Sequence, residues 1–350
     1  MTSNPTNRRA QLTDVAAAAG VSLATVDRVL HGRAGVRPGT VEQVQAAIQR
    51  LEYRADPAAT RLARGRASHS VAVVLPSGNN SFVSMLVDQV QSLGPWLTEQ
   101  RLATSIHRVD VFSPEALARH LATLRKRHAA VLVMGLDHPL VRAAIDDLCA
   151  DGTTVITLVS DVPSSRRTHY VGIDNVAAGR TAATLLGRFL GPVPAARRIG
   201  IVLGSHALRD HAERLFGFQQ VIAAEHAHLV LLPVLEGHDD SQRTQQLVTH
   251  LLENEKDLAG LYSIGAGNRG IQAALVDSGR AAKVVWVCHE LTPYTRRALL
   301  DGVADAVINQ DAGHELRSAF RMALARLNME RVVADQERIR LDIFVKENLP

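Results

Sequence analysis

LTDVAAAAGVSLATVDRVL, residues 12–30, decides how the rest of the chain is read. Thr13 and Asp14 are expected as N-cap and first-turn acid of a short helix filled by Val15 and the alanines, and Gly20 supplies the permissive backbone that ends it. Ser22 then caps a second helix. On that helix Val26, Val29 and Leu30 fall on one stripe, which leaves Leu23, Ala24, Asp27 and Arg28 facing outward. Two short helices joined by a tight turn make a helix-turn-helix, whose second helix lies in the DNA major groove. An ordinary helical hairpin shares the local pattern, so the flanking residues must separate the two.

They do so in order. After the loop HGRAGVR (31–37), Pro38 sits where a first helical turn tolerates proline, and Val41, Val44, Ile48 and Leu51 recur at helical spacing, so three helices around one small core end near Tyr53. ADPAATRLARGRASHS (55–70) follows, with Arg61, Arg64 and Arg66. Pro57 and Gly65 bracket at most about two helical turns, too short to be stable alone in water, so this segment folds only against something else. Residues 1–68 carry ten arginines against five acids, while the remaining chain carries 29 basic against 30 acidic residues. A basic small domain on a neutral body is the electrostatic footprint of a nucleic-acid-binding module attached to something that binds another partner.

From Ser70 onward short apolar runs alternate with helical stretches. VAVVLP (71–76), TSIHRV (104–109), AVLVMG (130–135), TVITLVS (154–160), HYVGID (169–174), RIGIVLG (198–204), LVLLPVL (229–235), LAGLYSIG (258–265), VVWVCHE (284–290) and DAVINQD (305–311) are expected as strands. They are apolar on both faces, as buried parallel strands are. Helices are expected between them, including one unbroken helix over Phe82 to Glu99. This alternation predicts a doubly wound α/β body that splits near Tyr170 into two similar halves.

The whole of residues 12–66 resembles the N-terminal domain and hinge of the lactose-repressor/galactose-repressor family of transcriptional regulators. The body resembles the type I periplasmic-binding-protein module of that family, through VGIDNVAAGRTAATLLGRFLG (171–191), CHELTP (288–293) and DAVINQD. The resemblance implies an all-α helix-turn-helix head plus an α/β two-lobed body with doubly wound parallel sheets. The implied boundaries are 1–56 for the head, 57–69 for the hinge helix and linker, and 70–350 for effector binding and dimerisation. Lobe 1 is then about 70–170 and 305–332, and lobe 2 about 171–304 and 333–350. The DNA-contacting set it implies is Thr13, Ser22, Leu23, Ala24, Thr25 and Arg28, with Arg61 and Leu62 from the hinge. Leu62 takes the position of the leucine that wedges between central base steps in the minor groove, where unstacking is offset by contacts the kinked duplex permits. Asp27 and Asp56 depart from the family pattern, and a carboxylate facing phosphates is repelled. Asp27 can orient Arg28, accept from a cytosine amino group, or be a solvated helix position.

Ligands of doubly wound sheets bind beyond the carboxyl ends of the strands. The residues there include Ser77, Asn80, His206 and Arg209. The family's effector contacts map onto Phe82, Asp137, Asp161, Arg214, Asn268, Glu290 and Gln310, and Asn79, just after the first strand, completes the expected effector-binding set. Planar amides, carboxylates and arginine can satisfy paired hydroxyls bidentately, and an aromatic ring can cover an apolar sugar face, so a sugar or polyol is expected. Any one of these residues could instead cap a helix or satisfy a loop, Asp161 before Val-Pro and Asn268 before a helix most readily. A nucleobase effector or a corepressor-type regulator is the alternative. It would want aromatic walls on both sides, and only Phe82, Tyr170, Tyr262, Trp286 and Tyr294 are available.

Other classes fit less well. No apolar run reaches membrane-spanning length, and MTSNPTNRRAQ (1–11) lacks a signal peptide's hydrophobic segment, so a cytoplasmic protein is expected. That also argues against a solute-binding or sensory module with a non-functional DNA head. Cys149 and Cys288 have no partner spacing and read as buried small hydrophobes. Glu290 with Asp161, or His206, His211 and His289, could suggest catalysis. No metal-helix motif, nucleophile elbow or phosphate-cradling loop accompanies them, and GAGNRG (265–270) is a poor echo of a dinucleotide fingerprint. Neither enzyme activity nor a cofactor is expected. Half-site symmetry implies a homodimer on a pseudo-palindromic operator.

Overall fold

A computed structural model describes residues 10–30, 35–51, 53, 68–192, 196–265, 267–332 and 336–350. The chain divides into two compact units, residues 1–67 and 68–350. The expected hinge contacts Arg61 and Leu62, together with Asp56, lie outside the described residues.

In the first unit, α1 (Leu12–Ala19), α2 (Leu23–Leu30) and α3 (Pro38–Arg50) enclose Val15, Ala16, Val26, Val44 and Ala47. Thr13 is not the N-cap of α1. Gln11 holds that position, its backbone N–H donating to Asp14 Oδ2 at 2.7 Å, and Thr13 sits exposed within the first turn. Gly20 ends α1 at φ 66°, the left-handed conformation that favours glycine. Ser22 caps α2, its hydroxyl accepting from the Thr25 backbone N–H at 3.2 Å.

The second unit contains two sheets. Lobe 1 runs β1 (His69–Pro76), α4 (Ser81–Ser92), α5 (Gly94–Glu99), β2 (Leu102–Val109), α6 (Pro114–Thr123), β3 (Ala130–Val133), α7 (Pro139–Ala150), β4 (Thr154–Leu158) and β5 (His169–Val171), with parallel strand order β2-β1-β3-β4-β5. The helix expected over Phe82 to Glu99 breaks at Leu93, because Pro95 has no N–H to continue it and starts α5 instead.

Lobe 2 runs α8 (Asn175–Leu190), β6 (Arg197–Leu203), α9 (Arg209–Glu225), β7 (Leu229–Leu231), β8 (Leu235–Glu236), α10 (Ser241–Asn254), β9 (Leu258–Ser263), α11 (Asn268–Asp277), β10 (Val285–His289), α12 (Pro293–Leu300) and β11 (Ala306–Gln310). After α13 (Ala312–Asn328) the chain returns as β12 (Leu341–Phe344), antiparallel to β11, and the strand order is β12-β11-β10-β9-β6-β7. The run expected as one strand over 229–235 is two, since Pro233 cannot donate to a ladder.

The expected lobe boundary also shifts. β11 pairs with β10 in the second sheet, so residues 305–310 belong to lobe 2 and not to lobe 1. α13 does return to lobe 1, packing on α4, β4 and β5. The chain therefore crosses between lobes after β5, at Asp311, and between α13 and β12. One apolar core runs through the crossing, from Val71, Val73 and Phe82 to Ile199, Phe218 and Tyr262, while separate cores fill the far face of each sheet.

A polar cavity between the lobes

The carboxyl ends of both sheets face one cavity of about 610 Å³ including its open mouth. Lobe 1 gives it an apolar wall of Phe82, Met134 and Val159; lobe 2 gives it Asp210, Arg214, Asn268, Glu290 and Gln310.

Arg214 is the organising side chain. It lies in α9, and α9 packs on α8 through glycines: a Cβ on Gly179 would run into the Arg214 carbonyl, and one on Gly217 into the Val176 carbonyl. This close approach holds Arg214 beside Asn175, whose Oδ1 accepts from Nε at 2.8 Å. Nη1 donates to the Ile264 carbonyl at 2.9 Å and reaches Glu290 Oε1 at 3.4 Å. Gln310, the last residue of β11, donates Nε2 to the same Glu290 oxygen at 2.7 Å. Arg214 is only 2% exposed and Glu290 7%. Burial pushes the Glu290 carboxyl up to about 7, with Arg214 and Gln310 pulling the other way. Burial also opposes the Arg214 charge, but Glu290, Asp210 and the tyrosines outweigh it and raise its pKa. Behind them Glu315, on α13, is fully buried and held well above the usual carboxylate range by burial and by Glu290.

Backbone strain collects at the same place. Val159, Asp239 and Glu290 all line the cavity at positive φ, 63°, 57° and 68°. Val159 is β-branched and sits at the centre of a three-residue turn closed by Ser160 N–H to Leu158 O at 2.6 Å. The Tyr170 hydroxyl, donating to the Val159 carbonyl at 2.9 Å, holds the turn. Strain of this kind costs about 1–3 kcal/mol and persists where surrounding structure over-determines it.

Of the eight expected contacts, Asn79, Phe82, Arg214, Asn268, Glu290 and Gln310 line the cavity; Asp137 and Asp161 do not. Asp161 is held by Arg167, by the Thr157 hydroxyl at 2.6 Å and by the Val162 N–H at 2.7 Å. Asp137 accepts from Arg142 at 2.8 Å and from Arg209 at 3.2 Å. Asn268 lines the cavity with its amide committed, to the Ser263 hydroxyl and to the His289 carbonyl. Asn79 is an exposed rim residue.

Asp210, Asp239, Met134 and Val159 were not foreseen as lining. Asp210 precedes Arg214 by four residues on α9, the spacing that places both on one helix face, so the signal was present. The Asp137–Arg209 pair crosses between lobes, as do Asn80 Nδ2 to Asp239 Oδ2 at 2.9 Å and an edge-to-face Phe112–His238 contact at 5.9 Å. Leu208, from lobe 2, is buried in the apolar core of lobe 1. Among the described residues no cluster could hold a metal and no helix is long and apolar enough to cross a membrane.

In the head, Ser22, Leu23, Ala24 and Arg28 are exposed along the start and outer face of α2, and Thr25 is half-buried. Leu23 is 46% exposed, so its apolar side chain is open to solvent at the start of α2.

Residues 11–56 match the model of bacterial regulatory proteins of the lacI family, and residues 71–331 match the periplasmic binding protein domain. HTH-type transcriptional regulator GalS of Salmonella typhimurium is 28% identical over 276 residues, 77% of this chain and 76% of that protein. HTH-type transcriptional regulator CelR of Thermobifida fusca is 30% identical over 226 residues, 62% of each. The body superposes on a glucose-galactose binding protein from Geobacillus stearothermophilus with a TM-score of 0.71 at 18% identity, over 81% of this chain and all of that one, which is a likeness of fold. With head and body both matched in the order seen here, the chain belongs to the lacI family of DNA-binding transcriptional regulators, a helix-turn-helix head joined to a periplasmic-binding-protein domain.

Proposed function

We propose that this regulator is a homodimeric repressor of a pseudo-palindromic operator, controlled by a sugar or polyol bound between the two lobes. Residues 1–56 read DNA through Thr13, Ser22, Leu23, Ala24, Thr25 and Arg28. Residues 57–69 form the hinge, with Arg61 and Leu62 in the minor groove, and residues 70–350 bind effector and dimerise. The protein acts in the cytoplasm, on chromosomal DNA. The observation that carries the effector assignment is the buried Arg214–Glu290–Gln310 group facing the apolar wall of Phe82, Met134 and Val159. Such a pairing suits a ring with hydroxyls on its edge and C–H groups on its face. Relatives named sucrose operon repressor, 30% identical over 159 residues, support repression as the outcome.

Ligand binding changes the closure of the lobes and hence the spacing at which the two hinges of the dimer meet the operator. A mobility-shift titration with and without a saccharide panel tests this: one sugar or polyol should change operator affinity saturably, and a response to purines alone overturns the assignment. Leu62→Ala should weaken operator binding far more than non-specific binding; equal loss of both sinks the hinge role.

A further inference from the structure

The hydrogen-bonding balance at the cavity floor narrows the ligand further, on the footing of the saccharide assignment just made. Five buried side-chain atoms on lining residues have no partner among the described residues: Asp210 Oδ1, Asp239 Oδ1, Glu290 Oε2, Gln310 Oε1 and Arg214 Nη2. Four accept and one donates. Asp210, Arg214, Glu290 and Gln310 are each at least nine-tenths buried, so water outside the mouth does not serve them. Leaving such atoms unmatched in a complex costs the full desolvation of each.

We infer that the effector is a hydroxyl-rich molecule without an anionic group, and that Asp210 and Asp239 are the residues that reject its phosphorylated and carboxylated counterparts. Hydroxyl groups donate to four acceptors and accept from Arg214 Nη2, which satisfies the whole set. A phosphate or carboxylate only accepts, so it would satisfy one atom and confront the carboxylates of Asp210, Asp239 and Glu290. Three positive elements oppose this, and none reverses it. Arg214 lies on the floor itself, but it is already shared with Asn175 and Glu290, and Asp210 adds a second carboxylate beside it. Arg269 is exposed at the rim, its guanidinium 5.5 Å above the Tyr294 ring and open to water. The N-terminus of α11, which carries no side-chain cap, contributes about half a charge. The apolar wall of Phe82, Met134 and Val159 covers the C–H face of the ring.

Isothermal titration of the full-length protein at pH 8, where Glu290 is ionised, tests the inference with matched sets. The probes are D-galactose, D-glucose, D-xylose, mannitol and myo-inositol, then galactose 1-phosphate, glucose 6-phosphate, gluconate and galacturonate. At least one neutral compound should bind, and its anionic counterparts should bind on the order of 100-fold more weakly. Asp210→Asn should weaken the neutral ligand about tenfold and shrink its advantage over the phosphate; Asp239→Asn, at a less buried position, should do the same to a smaller degree. A phosphate or acid that binds as tightly as the neutral parent overturns the inference and leaves the saccharide reading standing. No binding by any compound in the two sets defeats the saccharide reading itself, and this inference with it.

Discussion

The two lobes share a parallel sheet and the same alternation of strand and helix, yet they bring opposite chemistry to the cavity between them. In lobe 1 the carboxylates beyond the strand ends, Asp137 and Asp161, are consumed by Arg142, Arg209 and Arg167, and what remains for a ligand is the apolar wall of Phe82, Met134 and Val159 with Asn79, Asn80 and Ser81 beside it. In lobe 2 a buried arginine is shared among Asn175, Ile264 and Glu290, and the surrounding polar atoms are left in excess. Topology sets where side chains arrive; the local supply of counter-charges decides which stay available. Lobe 1 is thus a wall and lobe 2 a grip.

Removing the grip should have the largest effect. Arg214→Met leaves Glu290 and Asn175 without their partner in a buried site, a loss of about 3–5 kcal/mol by analogy with other broken buried pairs, and abolishes the effector response. Arg214→Lys should rescue little, because an ammonium cannot bond Asn175 and the Ile264 carbonyl in one plane. Urea unfolding with effector titration reads both; a cost below about 1 kcal/mol with the response intact would erase the contrast between the lobes.

Next comes the helix pair that carries the grip. Gly179→Ala drives a methyl group into the Arg214 carbonyl, so α9 must move away from α8 and take Arg214 with it. Overpacking of this sort costs about 1–3 kcal/mol. Gly94→Ala, at the first position of α5 with open space around it, is the matched control and should be neutral or slightly stabilising. If the two variants melt alike, the glycine contact between α8 and α9 is not what positions the site.

Much of this was legible from local pattern. The head follows from helical periodicity and Gly20, and most strands follow from Val/Ile-rich runs apolar on both faces. Where the pattern failed, proline or long-range pairing was responsible. Pro95 and Pro233 cut a helix and a strand that hydropathy alone joined. The run 305–311 reads plainly as a strand, but nothing local says that it pairs with β10, because pairing is fixed by tertiary contacts. Arg214 was readable from its place one turn into a helix after a strand. Asp137 and Asp161 were expected at the cavity and do not line it, and Arg142 and Arg167, which hold them, stand only five and six residues on. Arg142 reaches back from the first turn of α7 past its N-cap and Arg167 folds back across a loop, so no helical or strand period gives their reach.

The grip also has a pH signature. Glu290 rises from 4.5 to about 7 on folding, so between those values the folded state binds more protons than the unfolded one. Stability from this group is therefore fully present below about 4.5 and is lost as pH rises to about 7. Effector affinity runs the other way, since hydroxyl donors prefer the ionised carboxylate: it should rise from pH 6 to pH 8, by at most about tenfold per unit. Asp210 and Arg214 on α9, Gln310 and Glu315 also face this group, so the control is Glu290→Gln. It should flatten the affinity profile; a slope that survives assigns the titration elsewhere.

The smallest effects should come from the lobe 1 carboxylates. Asp161→Asn removes a charge from a partly exposed pair with Arg167 while keeping an oxygen for Thr157 and Val162, so stability should change by about 1 kcal/mol or less and effector affinity by less than about threefold. Asp137→Asn differs in one respect, because Asp137 also meets Arg209 across the lobes. Its effect on stability should be equally small, but it should ease opening and speed effector release. Stopped-flow dissociation separates the two variants: unchanged release for Asp161→Asn and faster release for Asp137→Asn fit a wall whose edge is tied to the grip. A large loss of affinity with Asp161→Asn would instead return that carboxylate to the ligand, and the two lobes would be grips alike.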